Sequence, residues 1–237
     1  MKALLMAAGM GTRMKMDIKG IPKSTVDIGG ITLIENTIRE LKNHTIEEIG
    51  IVVGYKANVF YELFKNNQVT FFYNPFFDCT NSIASLWFAR EFIKNDDFLF
   101  LNADVFFENK AMDLIISEKK SPVLFVDPRR KEEGDYKFHY RDHKLMNHGK
   151  NLPINEISGE YIGIAKVGQD FIPTFKERLD DLIQNQQHDL WWENILYSFL
   201  GEREIYVKDI GTNFWGEVDS IDDYKRIIQF LQGGEDK

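Results

Sequence analysis

The sequence predicts an α/β fold: a three-layer α/β/α sandwich around a mixed, mostly parallel sheet, in a single domain over residues 1–237. Three observations lead there. Short apolar runs alternate with segments of helical periodicity as far as Val126, the pattern of a sheet covered on both faces. The first apolar run breaks into a glycine-rich turn. No repeat or linker divides the chain.

The elements follow in order. Lys2–Ala7 reads as a buried strand. Residues 32–43 (TLIENTIRELKN) are amphipathic and begin with Thr32-x-x-Glu35, a capping box. Ile49–Val53 is a short apolar strand ended by Gly54, and Val69–Tyr73 another, stopped by Pro75. A helix is expected over Asn81–Lys94, started by the Thr80/Asn81 cap, followed by a strand at Phe98–Leu101. Helix Asn109–Lys119 and strand Val123–Val126 complete the series. After Pro128 the rhythm changes to short strand-like pieces, Tyr136–Tyr140 and Glu160–Val167, then two helices, a late strand at Glu204–Val207 and a closing helix capped by Ser220-x-x-Asp223. Residues from about 128 to 200 are read as an acceptor-binding lobe inserted in the domain.

Composition narrows the function. A net charge of −8 argues against nucleic acid or an anionic membrane as the main partner. One cysteine, Cys79, excludes an internal disulfide framework and fits a reducing compartment. No apolar run reaches the ~18 residues of a membrane span, and no signal-peptide pattern opens the chain, so a cytoplasmic protein is expected. A homodimer is left open.

The turn after the first strand carries Ala7, Ala8, Gly9, Gly11, Thr12 and Arg13, with Pro22-Lys23 ten residues on. Glycines there expose backbone N–H groups that can wrap phosphate oxygens, and Arg13 and Lys23 add positive charge. Two common phosphate loops fail. A dinucleotide fingerprint wants a third glycine where Met14 stands, and a ribose-binding acid where the chain has Val53-Gly54-Tyr55. A Walker A motif is absent.

The fuller pattern, A-A-G-x-G-T-R followed by P-K, resembles the signature of the nucleotidyltransferases that include sugar-1-phosphate nucleotidyltransferases and small cytidylyltransferases. The resemblance continues through DIGGITLIENTIRELKNHTIEEIGIVVGY, LNADVFF, GEYIGIAKV and FWGEVDSIDDY, nearly the whole chain. It implies the Rossmann-like fold of nucleotide-diphospho-sugar transferases, and attack on the α-phosphorus of a nucleoside triphosphate with pyrophosphate leaving. Positioning and charge neutralisation then dominate catalysis. The resemblance gives Arg13 to the leaving β,γ-phosphates and Lys23 to the α-phosphate and the incoming oxygen. It also implies Mg2+ as cofactor, held by Asp104 and Asp219 with Glu217 assisting; Asp104 lies at the carboxyl end of an apolar strand, where ligands of α/β sheets collect.

Choice of base and acceptor rests on later segments. The pattern T-N-x-x-x-S-L-x-x-A in YNPFFDCTNSIASLWFAR resembles the cytidylyltransferases of small phospho- or phosphono-compounds such as phosphocholine, aminoethylphosphonate and phosphorylated amino acids. Asn81 and Ser85, at i and i+4 on one helix face, are assigned to the nucleotide pocket. By the same resemblance Lys150 would meet the acceptor phosphate, and Asp135 (with Lys137) and Glu160 would line the acceptor pocket. The sequence Gly-Asp-Tyr-Lys here departs from the Asp-Asp-Met-Lys common in that branch. Trp191, Trp192 and Glu193 join aromatic rings to a carboxylate, a set suited to a cationic head group. The three histidines His139, His143 and His148 read as solvated loop residues, and Phe71, Phe72, Phe76 and Phe77 as core and pocket wall.

Together these give a magnesium-dependent transfer of CMP from CTP to a small, amine-bearing phosphate or phosphonate. A sugar- or polyol-1-phosphate nucleotidyltransferase using another triphosphate is the alternative within the family. A non-catalytic nucleotide-binding module is the alternative outside it, and it would be expected to lose Lys23, Asp104 or Asp219, all of which are present.

Overall fold

The computed structural model describes residues 1–11, 20–66, 68–131 and 134–233, so Thr12 and Arg13 of the glycine turn lie outside the described residues. Strand β1 (Lys2–Ala7) is central because every other residue is apolar on each face: Ala3, Leu5 and Ala7 enter one core, Leu4 the other. It pairs in parallel with β2 (Ile49–Val53), which pairs with β3 (Thr70–Tyr73), and on its other side with β4 (Phe98–Asn102). Beyond β4 the order is β9 (Gly159–Val167), β6 (Val123–Asp127), β10 (Tyr206–Asp209), β8 (Lys144–Gly149) and β7 (Lys137–Arg141). In this nine-stranded sheet only β9 and β8 run against the others, so the sheet is mixed and mostly parallel, as the sequence predicts.

Helices cover both faces. α1 (Leu33–Asn43), α2 (Ala57–Leu63) and α4 (Asn109–Ser117) pack on the face carrying Leu5, Ile51 and Leu99. α3 (Ser82–Phe88), α5 (Ile172–Gln184) and α6 (Asn194–Tyr197) pack on the face carrying Leu4, Phe98 and Phe100. Each such fully buried side chain contributes roughly 1.5–3 kcal/mol. A third, smaller core under α7 (Ile221–Leu231) joins Val26, Leu33, Phe106 and Phe214. None of the described helices is long and apolar enough to cross a membrane.

Local signals hold where they are strong. The capping boxes Thr32/Glu35 and Ser220/Asp223 both form. Elsewhere the structure differs from expectation. The helix begun at Asn81 ends at Phe88, and the chain continues through Ile93 in tighter turns, with Ala89, Phe92 and Ile93 each bonding three residues back. α2 is unannounced because its N-cap, Lys56, is a left-handed residue with no capping side chain. The ribbon of β5 (Val105–Phe107) and β11 (Trp215–Glu217) is also unannounced, each strand having three residues and a partner far away in sequence.

Candidate active site

At the carboxyl ends of β1 and β4 an open cleft of about 380 Å3 is lined by Ala7, Gly9, Gly11, Lys23, Asn81, Asp104 and Trp191, among others. It continues through a space of about 180 Å3 beside Ala8, Ser85, Asn102 and Glu217 into an end of about 130 Å3 bounded by Asp135, Tyr136, Tyr161, Trp191, Glu193 and Tyr197. The described residues of the glycine loop, Asp104 and Glu217 of the metal cluster and part of the acceptor set therefore share one trough.

The loop end is built by close approach. Gly11 is left-handed at φ +62°, and a Cβ there would lie 2.8 Å from Cγ of Lys23. Its bare backbone lets the lysine stem lie against the loop. Pro22, with φ −61°, starts the turn that carries Lys23. Gly54 serves the same loop: a Cβ would meet the Ala8 carbonyl at 2.8 Å, and Tyr55 N–H donates to that carbonyl.

Lys23 Nζ donates to Asp219 and lies 3.8 Å from Asp104. The β5–β11 ribbon brings these acids together: Val105 pairs with Glu217, and Val218 N–H donates to the Asp104 carbonyl. Ser220 takes the helix cap, so Asp219 just before it turns to the lysine. One carboxylate oxygen each from Asp104, Glu217 and Asp219 falls within 4.8 Å of the others. Burial, then the charges of Asp104 and Asp219, push the Glu217 carboxyl well above the usual range, with Lys23 opposing. Three hard oxygen donors beside the Lys23 ammonium are a donor set that suits a small divalent cation such as Mg2+.

Residues 3–148 match the family model of the MobA-like NTP transferase domain. This chain belongs to that family. Along its full length it is 26% identical to the choline-phosphate cytidylyltransferase of Haemophilus influenzae, over 253 aligned residues and all of both chains. To the choline-phosphate cytidylyltransferase of Streptococcus pneumoniae it is 28% identical, over 98% of this chain and 99% of the other. A solved structure of the CTP:phosphocholine cytidylyltransferase from Streptococcus pneumoniae superposes with a TM-score of 0.81 at 24% identity, covering 97% and 98% of the two chains, a likeness of fold. The resemblance read from the glycine loop and the α/β/α architecture drawn from the strand pattern are borne out, and the chain is a nucleotidyltransferase.

On this MobA-like scaffold the remaining predicted residues fall in different places. Asn81 caps α3, accepting from Ser82 N–H at 2.8 Å, and donates to the Asp189 carbonyl at 3.0 Å. Ser85 is buried and accepts from Asn74 Nδ2 at 2.9 Å. Lys150 pairs with Asp135 at 2.7 Å and sits 5.3 Å from the centre of the Trp191 ring. Glu160 is not on the wall of the trough. It is buried beneath, bonded to Arg130 Nε and to Asp135 N–H, both at 2.9 Å, and so holds the Asp135 turn. Burial raises its carboxyl above the usual range even so. Trp192 likewise faces the core, its ring 5.6 Å from Phe100, because the turn before α6 can present only one of two adjacent indoles to the cleft. Its indole N–H donates to Asn102 Oδ1 at 2.8 Å, and Asn102 Nδ2 donates to Glu193 at 3.2 Å.

Several residues escaped the sequence reading. Asn102, the polar residue that ends the apolar run FLFLN at the carboxyl end of β4, carried a usable signal. Tyr136, Tyr161 and Tyr197 carried none, since aromatic residues in strands and helices read as core. His148 is not a solvated loop residue: it lies on β8, stacks on Tyr197 with centroids 4.0 Å apart, and bonds the Tyr136 hydroxyl through Nδ1 at 2.8 Å. Phe77 lines the cleft as expected, whereas Phe76 is 56% exposed.

Proposed function

We propose that this protein is a magnesium-dependent cytidylyltransferase that transfers CMP from CTP to a small, amine-bearing phosphate or phosphonate. An oxygen of the acceptor phosphate attacks the α-phosphorus; the bond from that phosphorus to the bridging oxygen breaks, and pyrophosphate leaves with the electron pair. The observation that carries the reading is the continuity of the trough, with Lys23 and Asp104 at one end, Asp219 bonded to that lysine, and an acidic, aromatic pocket at the other. Glycine-loop amides and Arg13 bind the triphosphate tail, and Lys23 turns from Asp219 to the α-phosphate. Asp104 and Asp219, with Glu217, would hold Mg2+, which when bound neutralises charge on the phosphoryl oxygens. Lys150 exchanges Asp135 for the acceptor phosphate, and Trp191 and Glu193 receive the cationic head. Names of the similar choline-phosphate enzymes support both the base and the acceptor class.

The test is pyrophosphate release from each of CTP, UTP, dTTP and ATP against a panel of aminoalkyl phosphates, phosphonates and hexose 1-phosphates. Turnover with CTP and amine-bearing acceptors is expected, and Lys23→Ala should lower it by about 10²–10³-fold. Turnover confined to UTP or dTTP with hexose 1-phosphates would overturn the reading.

A further inference from the structure

The turn Gly54-Tyr55-Lys56, between β2 and α2, holds the glycine segment at both of its ends. At the first end the Tyr55 N–H donates to the Ala8 carbonyl at 3.0 Å. At the second the Lys56 ammonium donates to the carbonyl of Gly20. Between these anchors runs the stretch of sequence that carries Gly9, Gly11 and Arg13. The same turn backs the Phe77 side of the cleft. The Tyr55 ring meets Phe77 edge-on at 6.2 Å, and a Cβ on Gly54 would lie 2.6 Å from the Cβ of Phe77.

Lysine is an uncommon choice at position 56. The backbone there is left-handed, φ 49° and ψ 41°, a region that costs a residue with a Cβ and that glycine or asparagine enters more readily. Its side chain is exposed, so the core does not require it. The ammonium lies 5.6 Å from the centre of the Tyr55 ring, inside cation–π range, and among the described residues no carboxylate competes for it. Gly20 is left-handed as well, at φ 99°, and a Cβ there would lie 2.9 Å from Lys56 Nζ. A bare backbone on one side and a long cationic arm on the other therefore make the contact. A strained backbone that carries an exposed side chain points to what that side chain holds.

Resting on the reading above, in which this segment binds the triphosphate tail, we propose that Lys56 is a positioning residue for that tail. It ties Gly20 to the same turn that already holds Ala8, and so fixes the far end of the glycine segment. A segment held at both ends has fewer conformations to lose when a triphosphate binds, which raises affinity without any contact from Lys56 to the nucleotide. The benefit belongs to the tail, because the rest of the nucleotide and the acceptor meet other parts of the trough.

The experiment compares CTP with CMP by calorimetry and follows the KM of CTP and of the acceptor by pyrophosphate release. In Lys56→Met, CTP should bind about fivefold more weakly, while CMP, which lacks the tail, should change by less than about twofold. The KM for CTP should rise by the same factor and the KM for the acceptor should hold. Lys56→Gly should lose CTP as Lys56→Met does, yet its melting temperature should hold or rise, because glycine accepts the left-handed backbone. Adding Lys56→Met to Gly20→Ala should cost nothing further, since both break one contact. Unchanged CTP affinity in the Lys56 variants overturns the proposal, as do equal losses of CTP and CMP or additive losses in the double variant. A lower melting temperature in Lys56→Gly makes the residue structural and overturns it too. A wild-type protein that binds no nucleoside triphosphate overturns this proposal and the cytidylyltransferase reading together. One that prefers another triphosphate overturns only the choice of base, and that nucleotide with its monophosphate decides Lys56.

Discussion

Two buried acids of this molecule make an instructive pair. Asp127, at the end of β6, is 1% exposed and accepts from Arg129 N–H, Nε and Nη2 and from the Trp215 indole at 2.8–3.0 Å. Burial alone would raise its carboxyl, but the Arg129 and Trp215 bonds outweigh that and hold it below the usual range. Glu193 is 5% exposed, with one side-chain donor, Asn102, at 3.2 Å. Burial pushes it up to about 7, a bond from its own backbone N–H and then the Asn102 bond opposing, and the Asp104 charge adding to the rise. The first acid is saturated by its own chain and belongs to the fold. The second is less fully served and lines the end of the trough, so it is placed to meet something that arrives.

The comparison can be broken or sharpened by substitution. Removing the saturated acid should do most: Asp127→Ala leaves the Trp215 indole and Arg129 without their carboxylate and should cost about 3 kcal/mol in urea denaturation. Its kinetic constants, measured well below the melting temperature, should hold. A loss under 1 kcal/mol would mean that Asp127 is no more structural than Glu193. The Glu193→Gln protein should move the other way. A carboxyl whose folded value lies above its unfolded one favours folding while protonated, so wild-type stability falls as pH rises from about 4.5 to about 7. The glutamine variant escapes this and should gain on the order of 2 kcal/mol at pH 8 relative to pH 5. It should lose acceptor affinity in the same step. Below pH 7 wild-type acceptor KM should rise by about tenfold per pH unit as Glu193 takes its proton, and the glutamine variant should lack this slope. Asn102 and the three surrounding tyrosines face the same carboxyl without titrating in this range, so equal slopes in both proteins would move the titration to the neighbouring Glu217.

Much of the fold and part of the site are legible in the sequence. Lys2–Ala7 and Ile49–Val53 are strands to the residue, and both capping boxes form, because each depends on neighbours within four positions. Lys23, Asp104 and Asp219 were found through motifs, yet the ribbon that unites them was not, its strands being three residues long and paired across half the chain. At the acceptor end the reading named Trp192 and Glu160, which the structure turns inward, and overlooked Tyr161 and Tyr197. Which of two neighbouring tryptophans faces a cleft depends on how one turn is anchored, here by Ser82 Oγ accepting from Trp192 N–H at 2.9 Å.

The position of β9 also dictates an order of assembly. All nine of its residues are buried, and it lies between β4 and β6, both made earlier in the chain. Until β9 emerges and inserts, those strands present bare apolar edges, a template for pairing with other chains. The end of the trough that takes Tyr161 from β9 is then its last part to exist. Pulsed hydrogen exchange during refolding should find the amides of Gly159–Val167 protected after those of β1 and β2, and simultaneous protection would dismiss that sequence of events. Nascent chains stopped before Gly159 would carry two open edges and depend on chaperones for their solubility.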